Sequence, residues 1–332
     1  MAKLTLSLAC TQSDRAAPIL DGRVKIAGCE VIPLPGVTQT IFRQVLDDQA
    51  FDIAEMSMSS QLVQVDRGAQ DYVAIPIFLS RAFRHSSIYI NTSRGITRPE
   101  DLRGRTIGVM QFQQTVGLWV RGILGDEHGV TSGDVEWKSG GLEAPGGGER
   151  LKLDLPKHIR LSPIPPEETL NGMLAKGELD AIIATKPPSS FVKGVAGVGR
   201  LFPDYVSAEM EYYRRSGAFP IMHCVVIRRS LVEAHPWLAA EVFHAFVRAK
   251  AIAYSELKQV NILRLTLPWV AERAADVRDM MGANFWKYGF SESRAEIEMM
   301  LRYAHADGLT SRLLNPEDVF HPSTLSLPDQ SV

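Results

Sequence analysis

The strongest constraint on the fold is an alternation of short apolar runs with helical patterns, which begins at the N-terminus. Apolar runs at 4–9, 51–56 and 72–79 predict strands, and the segments 38–46 and 59–68 between them predict helices. Strands that alternate with helices are typical of parallel sheets, because a helix returns the chain to the edge where the next strand starts. The first 90 residues therefore predict an α/β unit.

A second alternation covers roughly residues 93–222. Residues 105–110 predict a strand that leads into a helix near Gln114, and 166–176 predicts a helix that Gly177 ends before an apolar strand at 179–185. Two β-rich runs, 86–91 and 224–227, flank this series, so the chain is predicted to cross between two units twice. The C-terminal third is helical and is predicted to pack on the first unit.

These patterns predict an α/β fold of two Rossmann-like lobes joined by a two-crossing hinge. A chain of 332 residues also favours two domains over one. Lobe one would comprise residues 1–90 and 224–332, and lobe two residues 91–223. Because βα loops and helix N-termini of both sheets converge at such a hinge, the cleft between the lobes is the predicted ligand site.

Charge and cysteine content limit the classes of partner that the chain can bind and indicate a cellular compartment. The net charge of −2 offers no general positive field for nucleic acid or an anionic membrane, and no apolar run approaches the ~18 residues that span a bilayer. Cys10, Cys29 and Cys224 form no CxxC pair, which predicts neither disulfides nor a thiolate metal site. The run at 4–9 is shorter than the roughly 7–15 residues of a secretory signal. We therefore expect a cytoplasmic protein.

A local cluster of positive charge stands out against this near-neutral background. Residues 81–105 contain six arginines and two acidic residues, a net charge of +4. Arg81, Arg84 and His85 follow a predicted strand at the first crossing. Since guanidinium binds carboxylate through paired hydrogen bonds and imidazole exchanges protons near neutral pH, the three side chains predict a small-carboxylate site. An ion-paired surface turn is the alternative for both arginines.

Further candidates lie where predicted strands end, and each has an ordinary structural alternative. Ser57 and Ser59 precede a helix and could bind an anion or simply cap it, and Lys186 could close on a ligand or be solvated. The other candidates are Gln114, Thr115 and His223. A histidine among apolar residues, such as His223, is more often a packed core group. No metal-ligand spacing or nucleophile elbow occurs, so no cofactor is predicted, and a divalent metal stays open.

Several sequence blocks resemble one family over nearly the whole chain. The specific blocks are Ser80-Arg-Ala-Phe-Arg-His-Ser86 and Phe219-Pro-Ile-Met-His223, and weaker ones are Leu102-Arg-Gly-Arg-Thr-Ile-Gly108 and Gly177-Glu-Leu-Asp-Ala181. Together they resemble the 4,5-dihydroxyphthalate decarboxylases. The broader pattern is shared with the type II solute-binding proteins of ABC transporters. The resemblance implies a type II periplasmic-binding-protein-like fold and non-oxidative decarboxylation of 4,5-dihydroxyphthalate to 3,4-dihydroxybenzoate and CO2 in phthalate breakdown.

The candidate residues can be assigned to that chemistry by their side chains. Arg81 and Arg84 would clamp a carboxylate, and His85 and His223 would transfer protons. Lys186 and Gln114 or Thr115 would close on the substrate from lobe two, with Ser57 and Ser59 opposite. A solute-binding or sensing protein that only holds a small aromatic carboxylate in the same cleft is the second hypothesis. A homo-oligomer is the usual expectation for a cytoplasmic enzyme.

Overall fold

A computed structural model describes residues 3–69 and 71–332 of the chain. Within these residues the strands form two sheets. In chain order the strands are β1 Leu4–Cys10, β2 Cys29–Pro35, β3 Ile53–Ser57, β4 Tyr72–Arg81, β5 Ile88–Asn91, β6 Thr106–Val109, β7 Glu136–Ser139, β8 Arg160–Pro163, β9 Ala181–Ile183, β10 Val198–Arg200 and β11 Ile221–Arg228. The α/β class predicted from the sequence is confirmed.

The first sheet has the strand order β2-β1-β3-β11-β4. Strands β1, β2 and β3 are parallel, as predicted, but β11 lies antiparallel between β3 and β4. The alternation predicted a parallel sheet, and the antiparallel β11 departs from that prediction. The reason is that β11 joins the sheet only after the chain has passed through the second sheet. It therefore starts at the end of the sheet where β4 finishes, and runs in the opposite direction.

The second sheet has the order β10-β5-β9-β6-β7-β8. Strands β6 to β9 are parallel, whereas β5 runs antiparallel to β9 and β10 antiparallel to β5. The chain leaves the first sheet after Arg81 and returns to it at Ile221. Of the two predicted crossing runs, 86–91 thus contributes β5 to the second sheet, and 224–227 lies within β11 of the first sheet. The lobe boundaries at 90/91 and 223/224 remain a prediction.

The helices cover the two sheets, and three of them, which start at Thr38, Met58 and Thr115, begin beside the pocket described below. In chain order they are α1 Ala17–Leu20, α2 Thr38–Arg43, α3 Met58–Asp66, α4 Thr115–His128, α5 Leu170–Lys176, α6 Ser189–Val192, α7 Tyr205–Ser216, α8 Arg229–Ala234, α9 Leu238–Leu257, α10 Val270–Met281 and α11 Arg294–Ala306. A π-helical turn, Gln44–Asp48, continues α2. None of the described helices combines the length and the apolar character that crossing a bilayer requires.

The C-terminal helices contact elements of both sheets. Helix α9 packs on β4, as the sequence predicted for this region. Helix α11 instead packs against α4, where the rings of Trp119 and Tyr303 lie 5.6 Å apart and Arg121 Nε donates to Asp307 at 2.6 Å. The buried Arg121–Asp307 ion pair therefore ties the C-terminal region to a helix of the second sheet.

Strand β3 sits at the centre of the first sheet, and all five of its residues are buried. Central strands covered on both faces are usually continuously apolar. Glu55 breaks this rule, since its carboxylate lies in the middle of the strand at 2% exposure. A buried carboxylate must be compensated by its neighbours, and those neighbours lie at the candidate site.

Candidate active site

A pocket of about 250 Å³ lies between elements of the two sheets. It is close to the smallest volume expected for a small-molecule site and is large enough for one substituted aromatic ring. Six of the nine residues predicted from the sequence line it, namely Ser57, Arg84, Gln114, Thr115, Lys186 and His223. The structure also brings Phe42, Arg150 and Met222 to the lining, which the sequence did not single out.

Arg84 presents a guanidinium that the protein itself leaves largely unpaired. Its Nε donates to the Met222 Sδ at 3.1 Å, and no carboxylate among the described residues lies within ion-pair distance of it. Burial lowers the pKa of Arg84 to about 10, although the charge of Glu209 acts in the opposite direction. Arg84 therefore remains a cation at neutral pH, available to an anionic ligand.

His223 is oriented by Glu55 from the neighbouring strand. The His223 Nδ1 lies 2.7 Å from Glu55 Oε1, while the Thr11 N–H and hydroxyl donate to Glu55 Oε2 at 2.7 and 2.5 Å. Burial opposes the charge on Glu55, but the contacts from His223 and Thr11 outweigh it and hold the pKa of Glu55 below its ordinary value. Glu55 was not among the predicted site residues; the signal available was its carboxylate among the apolar residues 53–56.

The backbone around His223 is irregular in a way that redirects its side chain. The pairing of β11 with β4 shifts register on both sides of His223. Such bulges re-aim side chains and are common beside functional sites. The Phe42 ring meets the imidazole edge-on, with ring centroids 4.9 Å apart. His223 is thus a pocket residue and not the packed core group that its apolar neighbours favoured.

A cluster of hydroxyl groups joins the start of α3 to the start of α4. Thr115 Oγ1 lies 3.0 Å from Ser57 Oγ and 2.9 Å from Ser59 Oγ, and the Ser59 hydroxyl donates to the Gln113 carbonyl at 2.5 Å. Ser59 is fully buried in this contact and does not line the pocket. The structure therefore gives Ser59 a role between helices, while Ser57 and Thr115 also border the ligand space.

Besides Ser59, two further predicted residues, Arg81 and His85, lie outside the pocket. Arg81 is buried, and its guanidinium donates to the Phe219 and Lys287 carbonyls and to Ser293 and Glu296, the carboxylate lying 3.2 Å away. All these partners belong to the protein, so the assignment of Arg81 to the substrate clamp is corrected. The physical reason is that β4 extends to Arg81, two residues past the predicted strand, and directs this side chain towards α11.

His85 is packed in a small aromatic cluster. Its ring centroid lies 5.1 Å from that of Phe202 and 5.3 Å from that of Tyr212, and it is 3% exposed. Burial lowers the pKa of His85 to about 4, so the ring is neutral at neutral pH. The assignment of His85 to proton transfer on the substrate is also corrected, because His85 does not line the pocket and the turn His85–Ser87 places its ring against Phe202 and Tyr212.

Arg150 also lines the pocket. It follows the glycine-rich segment 140–148 and donates to Ser60 Oγ at 3.1 Å and to Gln39 Oε1 at 3.4 Å. Burial, with the charge of Arg43, lowers the pKa of Arg150. A second, larger cavity of about 620 Å³ also borders Gln39 and Arg150. Arg150 therefore contributes to the lining of both cavities.

Lys186 and Gln114 complete the side of the pocket that belongs to the second sheet. Lys186 follows β9, is exposed, and makes no hydrogen bond or ion pair with the described residues. Gln114 is the N-cap residue of α4 and is buried. No group of three or more His, Cys, Asp or Glu side chains in residues 3–69 and 71–332 is arranged to hold a metal ion. The prediction that the chemistry needs no cofactor stays a prediction.

Comparison with solved structures defines the class of protein. The fold matches the periplasmic aliphatic sulphonate binding protein SsuA from Escherichia coli over 98% of this chain and 99% of that one (12% identity, TM-score 0.54). It also matches the alkanesulfonate-binding protein SsuA from Xanthomonas axonopodis pv. citri over 96% of both chains (14% identity, TM-score 0.51). The chain therefore has a periplasmic-binding-protein-like fold, with its pocket between two sheets.

Sequence comparison then identifies the family. No protein-family model matches the chain. The chain is 40% identical over 325 residues to the 4,5-dihydroxyphthalate decarboxylase of Comamonas testosteroni, covering 98% of both proteins. It is 42% identical over 214 residues to the 4,5-dihydroxyphthalate decarboxylase of Pseudomonas putida, covering 64% of this chain and 83% of that protein. The chain belongs to the 4,5-dihydroxyphthalate decarboxylase family, a family of carboxy-lyases, which confirms the resemblance seen in the sequence.

Proposed function

We propose that the protein decarboxylates 4,5-dihydroxyphthalate to 3,4-dihydroxybenzoate in the pocket between the sheets. The observation that carries this proposal is the presence of the unpaired Arg84 guanidinium and the His223 ring in one pocket the size of a single aromatic ring. The names of both relatives support the same substrate. A cation for a carboxylate and a proton-transfer group are the two elements that this reaction needs.

The substrate itself supplies the electronic driving force. Each carboxylate of 4,5-dihydroxyphthalate is para to a hydroxyl group. Removing the phenolic proton sends electron density to the ring carbon that carries the leaving carboxylate, and this carbon can then take up a proton. The protonated ring has lost its aromaticity, which the departure of CO2 restores. General acid and base groups and a pocket that excludes water favour this sequence.

The pocket residues can carry out these steps in order. Arg84 binds the retained carboxylate, and Arg150 adds positive charge that attracts the dianion. His223 takes the phenolic proton, and the Lys186 ammonium donates a proton to the ring carbon. The carbon–carbon bond then breaks, with its electron pair returning to the ring and the phenolate oxygen. His223 returns its proton to that oxygen, and Lys186 recovers a proton from water.

A substrate panel tests this function against pure ligand binding, which the likeness to the SsuA proteins favours. We expect CO2 from 4,5-dihydroxyphthalate. We expect none from phthalate, which lacks the hydroxyls, and little from 3,4-dihydroxybenzoate, which lacks the second carboxylate. The readout is CO2 released by the purified protein, with and without a chelator. Tight binding of 4,5-dihydroxyphthalate without CO2 release would favour the solute-binding hypothesis, and a rate lost only with chelator would add a metal.

Replacing Arg84 by methionine should weaken ligand binding about 10- to 100-fold, since charge-assisted hydrogen bonds contribute roughly 1.5–3 kcal/mol. The measurement is the Kd of phthalate by calorimetry, because that diacid cannot react. The matched control is Arg98→Met, which removes an exposed arginine of the same positive segment and should leave the Kd unchanged. Equal affinity in Arg84→Met and the wild type would contradict the carboxylate clamp.

A further inference from the structure

Glu55 is buried and is held through both of its carboxylate oxygens. It is 2% exposed, and both of its oxygens are used: Oε1 by the His223 imidazole and Oε2 by the backbone N–H and the hydroxyl of Thr11. The strand pairing sets the geometry, because His223 lies opposite Ser57 and Glu55 is two residues before Ser57 on the same face of β3. A one-residue slip of β11 would separate the two side chains.

We propose that Glu55 is the positioning residue of His223, a role that rests on the function proposed above. Glu55 accepts a hydrogen bond from the Nδ1–H of His223 and so selects the tautomer whose Nε2 carries a lone pair available to the ligand. When the phenolic O–H bond breaks, its proton forms the Nε2–H bond and the electron pair stays on the phenolate oxygen. Glu55 keeps its negative charge throughout and stabilises the imidazolium. Its role is thus exerted through His223, without contact to the substrate.

The charged groups around Glu55 and His223 support these separate roles of positioning residue and base. Behind it lie the Cys10 and Cys224 thiols; burial and the Glu55 charge raise the pKa of Cys10 to about 12, and burial likewise raises that of Cys224, so both are neutral. On the pocket side of His223 the charged lining residues are cations, namely Arg84, Arg150 and Lys186. Among the described residues, Glu55 is the carboxylate that hydrogen-bonds His223. It therefore offsets positive neighbours that would otherwise oppose formation of the imidazolium.

The test combines a spectroscopic measurement with kinetics. In ¹⁵N NMR spectra of the resting wild-type protein, His223, assigned by the signal lost in His223→Gln, should carry its proton on Nδ1. In Glu55→Gln the amide can donate to Nδ1, so the proton should move to Nε2. We expect kcat to fall by roughly 10²- to 10⁴-fold with little change in KM, because the wrong tautomer removes the base but not the carboxylate contacts. The acid limb of the residual pH profile should move to lower pH.

Glu30→Gln is the matched control, since Glu30 is an exposed carboxylate on β2 of the same sheet and does not line the pocket. It should retain the Nδ1 tautomer and most of kcat. A wild-type His223 protonated on Nε2, or a Glu55→Gln protein with unchanged kcat, would overturn the proposal. The wild-type spectrum needs no substrate, and its assignment needs only the His223→Gln variant to fold. A protein that shows the Nδ1 tautomer but releases no CO2 would support Glu55 as a positioning residue while contradicting the proposed function.

Discussion

Glutamine in place of His223 should reduce the kcat for CO2 release by about 10²- to 10⁴-fold, the usual contribution of a general acid–base residue. Glutamine is neutral and can still reach the Glu55 carboxylate, so the shape of the pocket is kept. Arg84, Arg150 and Lys186 are untouched by this change. The Kd of phthalate, measured by calorimetry, should therefore stay close to that of the wild type.

The comparison that makes this result specific is His158→Gln. His158 is exposed on the segment before β8 and does not line the pocket, so its replacement should change neither kcat nor Kd. Both variants should be compared at several pH values, so that a displaced optimum is not mistaken for a lost residue. Full turnover by His223→Gln across that range would remove His223 from the mechanism.

Methionine in place of Arg81 should destabilise the fold by about 3–5 kcal/mol, the cost of breaking a buried ion pair by removing one partner. Glu296, which is 2% exposed, would keep its charge without the guanidinium, and the Phe219 and Lys287 carbonyls would each lose a donor. The measurement is the free energy of unfolding in urea. Under conditions where the variant is folded, its Kd for phthalate should match the wild type.

A double variant tests whether the loss of stability comes from the unpaired Glu296 carboxylate. Arg81→Met combined with Glu296→Leu should recover much of the stability, because apolar side chains of similar size often replace a buried pair without net cost. Arg81→Met and Arg84→Met are then expected to give opposite results, one losing stability and the other affinity. An Arg81→Met protein of normal stability and weakened binding would return Arg81 to the clamp.

The sequence and the structure agree best where the signal is local. The run at 4–9 appears as β1, α4 begins directly after Gln114, and Gly177 ends α5 in the left-handed conformation. Periodicity and capping act over a few residues, so these features can be read without knowing the rest of the fold. The antiparallel placement of β11 could not be read in this way, because it depends on a return from the second sheet.

The site residues show the same difference between local and long-range information. Arg81 and Arg84 are three residues apart and of the same residue type. Arg81 pairs with Glu296, which is 215 residues further along the chain, whereas Arg84 has no ion-pair partner among the described residues and donates to Met222 Sδ. Arg150 lines the pocket because its loop folds back and contacts Ser60 and Gln39. No local sequence pattern predicts such a contact. Buried charge is assigned by distant partners, and these appear only when the chain has folded.

By itself, the sequence determined the α/β class and the family, since each depends on patterns or blocks of neighbouring residues. Only the tertiary structure decided which charged side chains face the ligand space. It placed Arg81 and His85 in the interior and joined Glu55 to His223 across two strands. The reason is that desolvation penalises every buried charge, and whether a charge is paired by the protein or left for a ligand is settled by contacts between residues far apart in the chain.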